Sequence, residues 1–315
     1  MPSGHEPPLI VLVGPTAVGK TEIAIQLAER LDGEIVSADS RLFYRGMDIG
    51  TAKPTIEERR RVPHHLIDVA DPDQSWSLAL FQREARRVIA SIHARKRLPF
   101  LVGGTGQYIQ AVLQAWVVPI TQPNTALRKA LEDWANQIGN QGLHQRLATL
   151  DPQAAQLIDY RNLRRTVRAL EVILSTGMPF TSQRQRTTSP YHVLTIGLSR
   201  PRSELYERID ERIQTMLDTG LEDEVRRLLE LGYTQDLPAL SAIGYREMID
   251  YVQGKTSMDE AVTLIKRKTR VYVRRQTNWF KPTDPTIHWF DMQPGTVDEI
   301  ETIIRSWLAE KTKAV

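Results

Sequence analysis

Along the first third of the chain the apolar positions fall in short runs separated by longer polar stretches. Leu9 to Val13 is a β-rich run ending at Gly14, and from Thr21 to Leu31 the residues Ile23, Leu27 and Leu31 recur at helical spacing, which reads strand, loop, helix. Further short runs at Glu34 to Ser37, His65 to Val69 and Phe100 to Val102 continue the alternation expected of parallel strands joined by crossover helices. From about Val118 the period changes. Leu127, Leu131, Trp134 and Ile138, then Leu143, Leu147 and Leu150, recur at three and four with no strand before His192. A returning strand is expected at Val193 to Leu198, helices around Ile209 to Leu229 and Met258 to Trp279, and a last strand at Thr286 to Phe290. The fold class that follows is α/β, a parallel sheet flanked by helices with an all-helical insertion. Residues 1–117 and 190–315 would make a discontinuous core domain and 118–189 the insertion, with "QRQRTTSP" at Gln183 to Pro190 as an exposed linker.

Composition narrows this picture only a little. Of 315 residues, 41% are hydrophobic and 25% charged, an ordinary globular mix that requires neither disorder nor a fibrous class. The 41 basic and 38 acidic residues give +3 and a pI near 9.1, which permits a nucleic-acid partner without demanding one. The absence of cysteine excludes disulfides, thiolate zinc sites and a cysteine nucleophile. The N-terminal stretch has no basic n-region and no segment approaches membrane-spanning length, so a cytoplasmic protein with no membrane partner is expected.

Candidate chemistry begins at Gly14-Pro15-Thr16-Ala17-Val18-Gly19-Lys20-Thr21, which matches the P-loop pattern G-x-x-x-x-G-K-[ST] between an expected strand and an expected helix. Glycines let backbone N–H groups converge on phosphate oxygens, the helix N-terminus adds its dipole, Lys20 supplies a mobile cation and Thr21 can hold Mg2+. The sheet is therefore expected to be P-loop NTPase-like and the ligand a di- or triphosphate, a nucleotide such as ATP among them. Kinases, hydrolases, switches and group transferases all share this cradle, so other residues must choose the reaction.

After the second expected strand, Asp39, Ser40 and Arg41 fall at the carboxyl edge of the sheet beside the phosphate site. Asp39 is a candidate general base there, or the cap of its own turn, while Tyr44, Arg45 and Asp48 could orient a second substrate. Gly103-Gly104-Thr105-Gly106 closes the strand ending at Val102 without an acid. It is either a bare turn or backbone packed against ligand, with Thr105 donating a hydrogen bond. Arg208 and Arg212 share a helix face, and either could turn toward the diphosphate or pair with Glu204 or Glu211. Arg164 and Arg168 share a face of "NLRRTVRAL", and Arg267, Arg270, Arg274 and Lys281 form a stripe beside Val271, Tyr272 and Trp279. Both suit RNA or a solvated surface. His64 and His65, adjacent before a strand, point opposite ways and are read as structural. A small-metabolite kinase and an RNA-binding nucleotide switch remain open at this point.

Taken together, "GPTAVGKT", "DSRLFYRGMDIGTAKP", "GGTG", "RRTVRALEV", "SAIGYRE" and "RRQTNWFK" resemble the bacterial tRNA dimethylallyltransferases, or tRNA isopentenyltransferases, in order and spacing over nearly the whole chain. The resemblance implies transfer of a dimethylallyl group from dimethylallyl diphosphate, with magnesium, to N6 of the adenosine just 3′ of the anticodon, position 37 of the tRNA, releasing diphosphate. It makes Asp39 the base acting on N6 and places Lys20, Thr21, Thr105 and Arg212 around the diphosphate. It implies tRNA contacts from Asp39, Ser40, Arg41 and Leu42, from Arg128, from Arg164, Arg165, Thr166, Val167 and Arg168, and from Ser241, Ala242, Ile243, Gly244, Tyr245 and Arg246. The insertion would grip the anticodon stem-loop, and a monomer is expected. Gln107 departs from the family, which usually has an apolar residue there, and puts local packing in question. With no cysteine after Trp279, the zinc finger of the eukaryotic relatives is not expected.

Overall fold

The computed structural model describes residues 6–114, 124–182 and 188–313. Two compact units emerge, one built from Met1–Leu113 with Ser189–Val315 and the other from Gln114–Thr188.

In the first unit the chain runs β1 (Pro8–Val13), α1 (Lys20–Arg30), β2 (Gly33–Ser37), α2 (Ile56–Arg61), β3 (His64–His65), α3 (Leu78–Ala94), β4 (Leu98–Val102) and α4 (Gly106–Leu113). The second unit holds α5 (Thr125–Leu150), α6 (Pro152–Leu157) and α7 (Leu163–Thr176). The chain then returns through β5 (His192–Ser199), α8 (Arg202–Asp218), α9 (Leu221–Glu230), α10 (Tyr245–Val252), α11 (Met258–Gln276), β6 (Ile287–Asp291) and α12 (Thr296–Lys313).

The strands form one six-stranded sheet in the order β3-β2-β4-β1-β5-β6, with every pair parallel. β1 lies between β4 and β5, where Val11 faces Leu101 on one side and Thr195 on the other. Leu9 to Val13 are fully buried, as a strand covered on both faces must be, and this explains why the run is apolar without alternation. α1 and α3 pack on β2 and β4, and α12 on β5. Among the described residues no helix is long and apolar enough to cross a membrane.

Three sequence expectations are corrected. The strand expected at His65 to Val69 stops at His65, because Leu66 (φ 61°) and Asp68 (φ 55°) are left-handed. The chain turns there to bring the Asp68 carboxylate to Lys53 at 2.6 Å and Arg59 at 2.6 Å. The helical stretch from Ile209 to Leu229 is two helices, broken at Gly220 with φ 98°. In α5, Gly139 takes φ 78° and ψ 160° and interrupts the helix, so the buried stripe runs through Leu131, Ala135, Leu143 and Leu147. Trp134, Ile138 and Leu150 are exposed instead. The start of the insertion near Val118 and most of the linker from Gln183 lie outside the described residues.

The second unit has its own apolar core, with Val167, Leu170 and Ile173 of α7 against the α5 stripe and Ala154 of α6. Asp151 caps α6 through the Ala154 amide at 3.0 Å and also binds the Thr181 amide at 2.9 Å, tying the end of the unit to its first helix pair.

Candidate active site

In a parallel sheet the loops after the strands gather at the carboxyl edge, and here those after β1, β2 and β4 come from neighbouring strands. The P-loop leaves β1 at Gly14. A Cβ added there, at φ 150°, would lie 2.7 Å from the Leu198 carbonyl, so only glycine fits. The loop's carbonyls are held from behind by arginines. Arg208 Nε donates to Ala17 O at 2.8 Å and Arg200 Nε to Val18 O at 3.0 Å. Among the described residues the amides of Ala17, Gly19, Lys20 and Thr21 have no partner in the chain, which leaves them for an anion at the start of α1.

Lys20 opens α1 and its ammonium donates to Gly14 O at 2.9 Å and Pro15 O at 2.8 Å. Burial pushes its pKa down to about 8. The Asp39 charge works against that shift and the Arg212 charge adds to it, so all three groups share one electrostatic neighbourhood. Arg212 is likewise lowered by burial and supported by Asp39, and its Nη2 reaches the Thr51 carbonyl at 3.4 Å. Of the two arginines on that face of α8, Arg212 lies within the influence of the Asp39 charge, while Arg208 braces the loop.

Asp39 follows β2 directly. Its Oδ1 accepts from its own turn, the Arg41 amide at 3.0 Å, and its charge is felt by Lys20, Arg212 and Tyr272. It therefore both caps a turn and faces the site. Thr105, beyond β4, accepts from the Ser40 amide at 3.4 Å and is hydrogen-bonded to the Tyr272 hydroxyl. Burial, and then the Asp39 charge, push the Tyr272 phenol up to about 12, so it stays protonated. The glycines around Thr105 are close-approach positions. A Cβ on Gly103 would sit 2.4 Å from Ala38 O, one on Gly104 2.2 Å from Gln276 Nε2, and one on Gly106 2.3 Å from the Trp279 ring. The turn is thus packed on all sides by the neighbouring loop and by the end of α11. Gln107, the family departure, is exposed on α4, where a polar residue disturbs no packing.

The loop preceding Thr51 is held by Glu224 of α9. This buried carboxylate accepts the amides of Asp48 at 2.8 Å, Ile49 at 2.8 Å and Gly50 at 3.1 Å, and the Tyr245 hydroxyl at 2.6 Å. Tyr245 is fully buried and its phenol is pushed well up by burial and the Glu224 charge, so its side chain serves as an internal strut and only its backbone is left for the expected tRNA contact. Ala242 and Gly244 are also buried, leaving Ser241 and Arg246 exposed and Ile243 half-buried. Arg41 donates to the carbonyls of Pro238 at 2.8 Å and Ala239 at 3.3 Å and reaches Ser241 Oγ at 3.4 Å. The segments 39–42 and 241–246 are thereby brought together.

In the second unit Arg164 and Arg165 are exposed. Thr166 and Val167 are buried in the helical core, which removes their side chains from any RNA contact because they lie on the apolar face of α7. Arg168 and Arg128 both pair with the fully buried Glu171, at 2.6 and 3.0 Å, with their outer ends half-exposed. The α11 stripe is split. Arg270 bridges to Asp210 at 2.7 Å and stacks 5.0 Å over Tyr206. With Lys266, Arg267 and Arg274 it lines a cavity of about 370 Å³. Lys281 lies beyond the helix end. His64 and His65 bond Val62 O and Glu34, as structural residues do. Among the described residues no three His, Asp or Glu are grouped to hold a metal, so an ion at this edge would be held by the exposed Thr21 hydroxyl together with oxygens of a phosphate ligand.

Tyr272, Gln276 and Glu224 were not singled out as site residues by sequence. Tyr272 and Gln276 stand four apart on one face of α11, a polar pair whose spacing was legible but whose partners were not.

The family described as IPP transferase matches residues 42–283. The chain is 51% identical to a tRNA dimethylallyltransferase of Roseiflexus sp. (strain RS-1), covering 96% of this chain and 99% of that one. It is 46% identical to one from Halalkalibacterium halodurans, over 97% and 99%. The crystal structure of a full-length tRNA isopentenylpyrophosphate transferase from Bacillus halodurans superposes with a TM-score of 0.73 at 44% identity, covering 97% and 98% of the two chains. A eukaryotic dimethylallyltransferase acting on tRNA superposes with a TM-score of 0.82 at 25% identity, covering 96% of this chain and 80% of that one.

Proposed function

This chain belongs to the IPP transferase family, the tRNA dimethylallyltransferases, and from that membership we propose that its P-loop holds the diphosphate of dimethylallyl diphosphate while Asp39 serves the incoming adenine. The chain is a tRNA-modifying prenyl transferase. The observation that carries the finer reading is the meeting of Lys20, Asp39 and Arg212, from three separate segments, in one electrostatic neighbourhood beside four unpartnered loop amides.

The donor's diphosphate accepts from the amides of Ala17, Gly19, Lys20 and Thr21 and from the Lys20 ammonium and the Arg212 guanidinium. Thr21 would help to hold magnesium, which would supply positive charge favouring departure of the diphosphate. The N6 amine of the adenine just 3′ of the anticodon, turned out of its stack, attacks the allylic carbon. The new N–C bond forms as the C–O bond to diphosphate breaks, the electron pair leaves with diphosphate, and the amine proton passes to the Asp39 carboxylate. Thr105, fixed by Tyr272 and the Ser40 amide, offers a hydroxyl at the junction of the two substrates. Charge stabilisation of the departing diphosphate by preorganised donors supplies most of the rate. Exposed Arg164, Arg165 and Arg246 meet RNA phosphates.

The test is mass spectrometry of nucleosides from unmodified tRNA incubated with the protein, magnesium and dimethylallyl diphosphate, with ATP replacing the donor in a parallel reaction. Isopentenyladenosine formed only with the prenyl donor is the expected result. No modified nucleoside in either reaction would overturn the assignment.

A further inference from the structure

A series of hydrogen bonds links the P-loop to the loop that carries Asp39, and its middle members come from the end of α11. The Thr16 amide donates to Gln276 Oε1 at 2.8 Å, and Gln276 Nε2 donates to the Gly104 carbonyl at 3.1 Å. Gln276 is buried and ends α11, with Tyr272 one helical turn before it. The Tyr272 hydroxyl is bonded to both Gln276 and Thr105, and Thr105 Oγ1 accepts the Ser40 amide at 3.4 Å. The series passes beside the cradle's cation, since a Cβ added to Gly104 would lie 2.2 Å from Gln276 Nε2 and 3.8 Å from Lys20 Nζ.

The three loops joined in this way need such a link. Thr16, Ser40 and Thr105 each lie three residues past the end of their strands, at Val13, Ser37 and Val102, where the ladder of the sheet no longer sets their spacing. A glutamine amide suits the task, because it offers a donor at one end and an acceptor at the other. With the Thr16 N–H on one side and the Gly104 carbonyl on the other, only one orientation satisfies both. An apolar side chain would fill the same volume at the end of α11 without the cost of burying an amide, so packing alone does not account for the residue. Spacing matters to this chemistry, since reacting atoms must approach to about 3–3.5 Å and a misplacement of about 1 Å can cost about 10²-fold in rate.

We propose that Gln276 and Tyr272 are positioning residues for prenyl transfer, which hold the Thr105 hydroxyl in register with the phosphate cradle and act through Thr105 rather than on either substrate. The inference rests on the reading that Thr105 stands at the junction of the two substrates. Tyr272→Phe takes away a single oxygen atom, and Gln276→Met keeps the length of the side chain while removing both polar ends. Each leaves Thr105 present but free to turn.

The experiment is a double-mutant cycle on the full chain, with single-turnover transfer to unmodified tRNA at saturating dimethylallyl diphosphate and magnesium, calorimetric titration of the donor, and thermal melts of every variant. Tyr272→Phe and Gln276→Met should each slow transfer by about 10- to 100-fold. Donor affinity should stay within about threefold of the unaltered protein, which places the loss in the chemical step and not in binding. In a Thr105→Val background the same two substitutions should slow transfer further by no more than about twofold, because the group they act through is gone. An equal loss with and without the Thr105 hydroxyl, a loss confined to donor affinity, or transfer at the unaltered rate would overturn the proposal. If Gln276→Met melts below the assay temperature, the Tyr272→Phe cycle decides alone. A Thr105→Val protein that transfers at the unaltered rate, or an unaltered protein that makes no product, would instead bring down the reading of the site on which the proposal rests.

Discussion

Lys20 is where burial and function pull against each other. Its amine titrates near pH 8 because desolvation outweighs the support of Asp39. In the proposed function the cationic form holds the diphosphate, and that form is present below that pH and lost above it. Affinity for dimethylallyl diphosphate should therefore fall as pH rises through 8, by about fivefold between pH 8 and pH 9 if this proton alone controls binding. Titrations across that range test the slope, and Lys20→Arg, charged throughout, should lack it. Asp39 acts on the same group from the other side. Asp39→Asn should slow single-turnover prenyl transfer by about 10²- to 10⁴-fold, the usual contribution of a general base. Because the carboxylate that keeps Lys20 protonated is then gone, donor binding in Asp39→Asn should weaken at a lower pH than in the unaltered protein. A transfer rate that survives the substitution would remove Asp39 from the role of base.

Among the elements, α9 and α11 lie far along the chain from the P-loop and yet support the site. Glu224 of α9 gathers three successive amides and a buried phenol, and that loop runs directly into Thr51, whose carbonyl meets Arg212. Glu224→Gln keeps the shape but turns an N–H2 toward donors, so at least one bond is lost and another made repulsive. A loss of about 1–3 kcal/mol in urea denaturation is expected, with a fall in kcat/KM for the donor as Arg212 loses its anchor. Unchanged kinetics in a destabilised variant would confine Glu224 to the fold. α10 illustrates the same logic, since the "SAIGYRE" motif at its start spends Tyr245 on this strut and presents Ser241 and Arg246 outward.

At the scale of the molecule, the charges available to RNA are fewer than a count of arginines suggests. Arg128 and Arg168 are committed to Glu171, Arg208 and Arg200 to the P-loop carbonyls, and Arg270 to Asp210. Arg164 and Arg165 are exposed, without an acidic partner among the described residues. Replacing both with alanine should weaken tRNA binding and reduce the slope of log Kd against log salt by about 1 to 2, as expected for two phosphate contacts. Filter binding at several salt concentrations measures this. A slope equal to that of the unaltered protein would place the RNA elsewhere.

Much of the fold was legible because its signals are local. An apolar run, a glycine-rich turn and a helical period all involve residues within a few positions of one another, and they disclosed β1, the P-loop, α1, β2 with Asp39 at its end, and the helical character of residues 125–176. Misreadings arose where a single backbone angle overrode the pattern, as at Leu66, Gly139 and Gly220. Motif membership did not separate surface from interior either. Thr166, Val167 and Tyr245 stand inside segments that resemble tRNA-contacting motifs, and it is packing that buries them. By itself the sequence determined the P-loop motif and the order of the elements, because a glycine-rich cradle and a strand-helix alternation are written in neighbouring residues. Only the tertiary structure decided that Arg212 comes under the Asp39 charge while Arg208 braces the P-loop, and that Gln276 closes on Thr16 from 260 residues away and on Gly104 from 172. Such contacts depend on where the sheet delivers distant loops, and no spacing along the chain encodes that meeting.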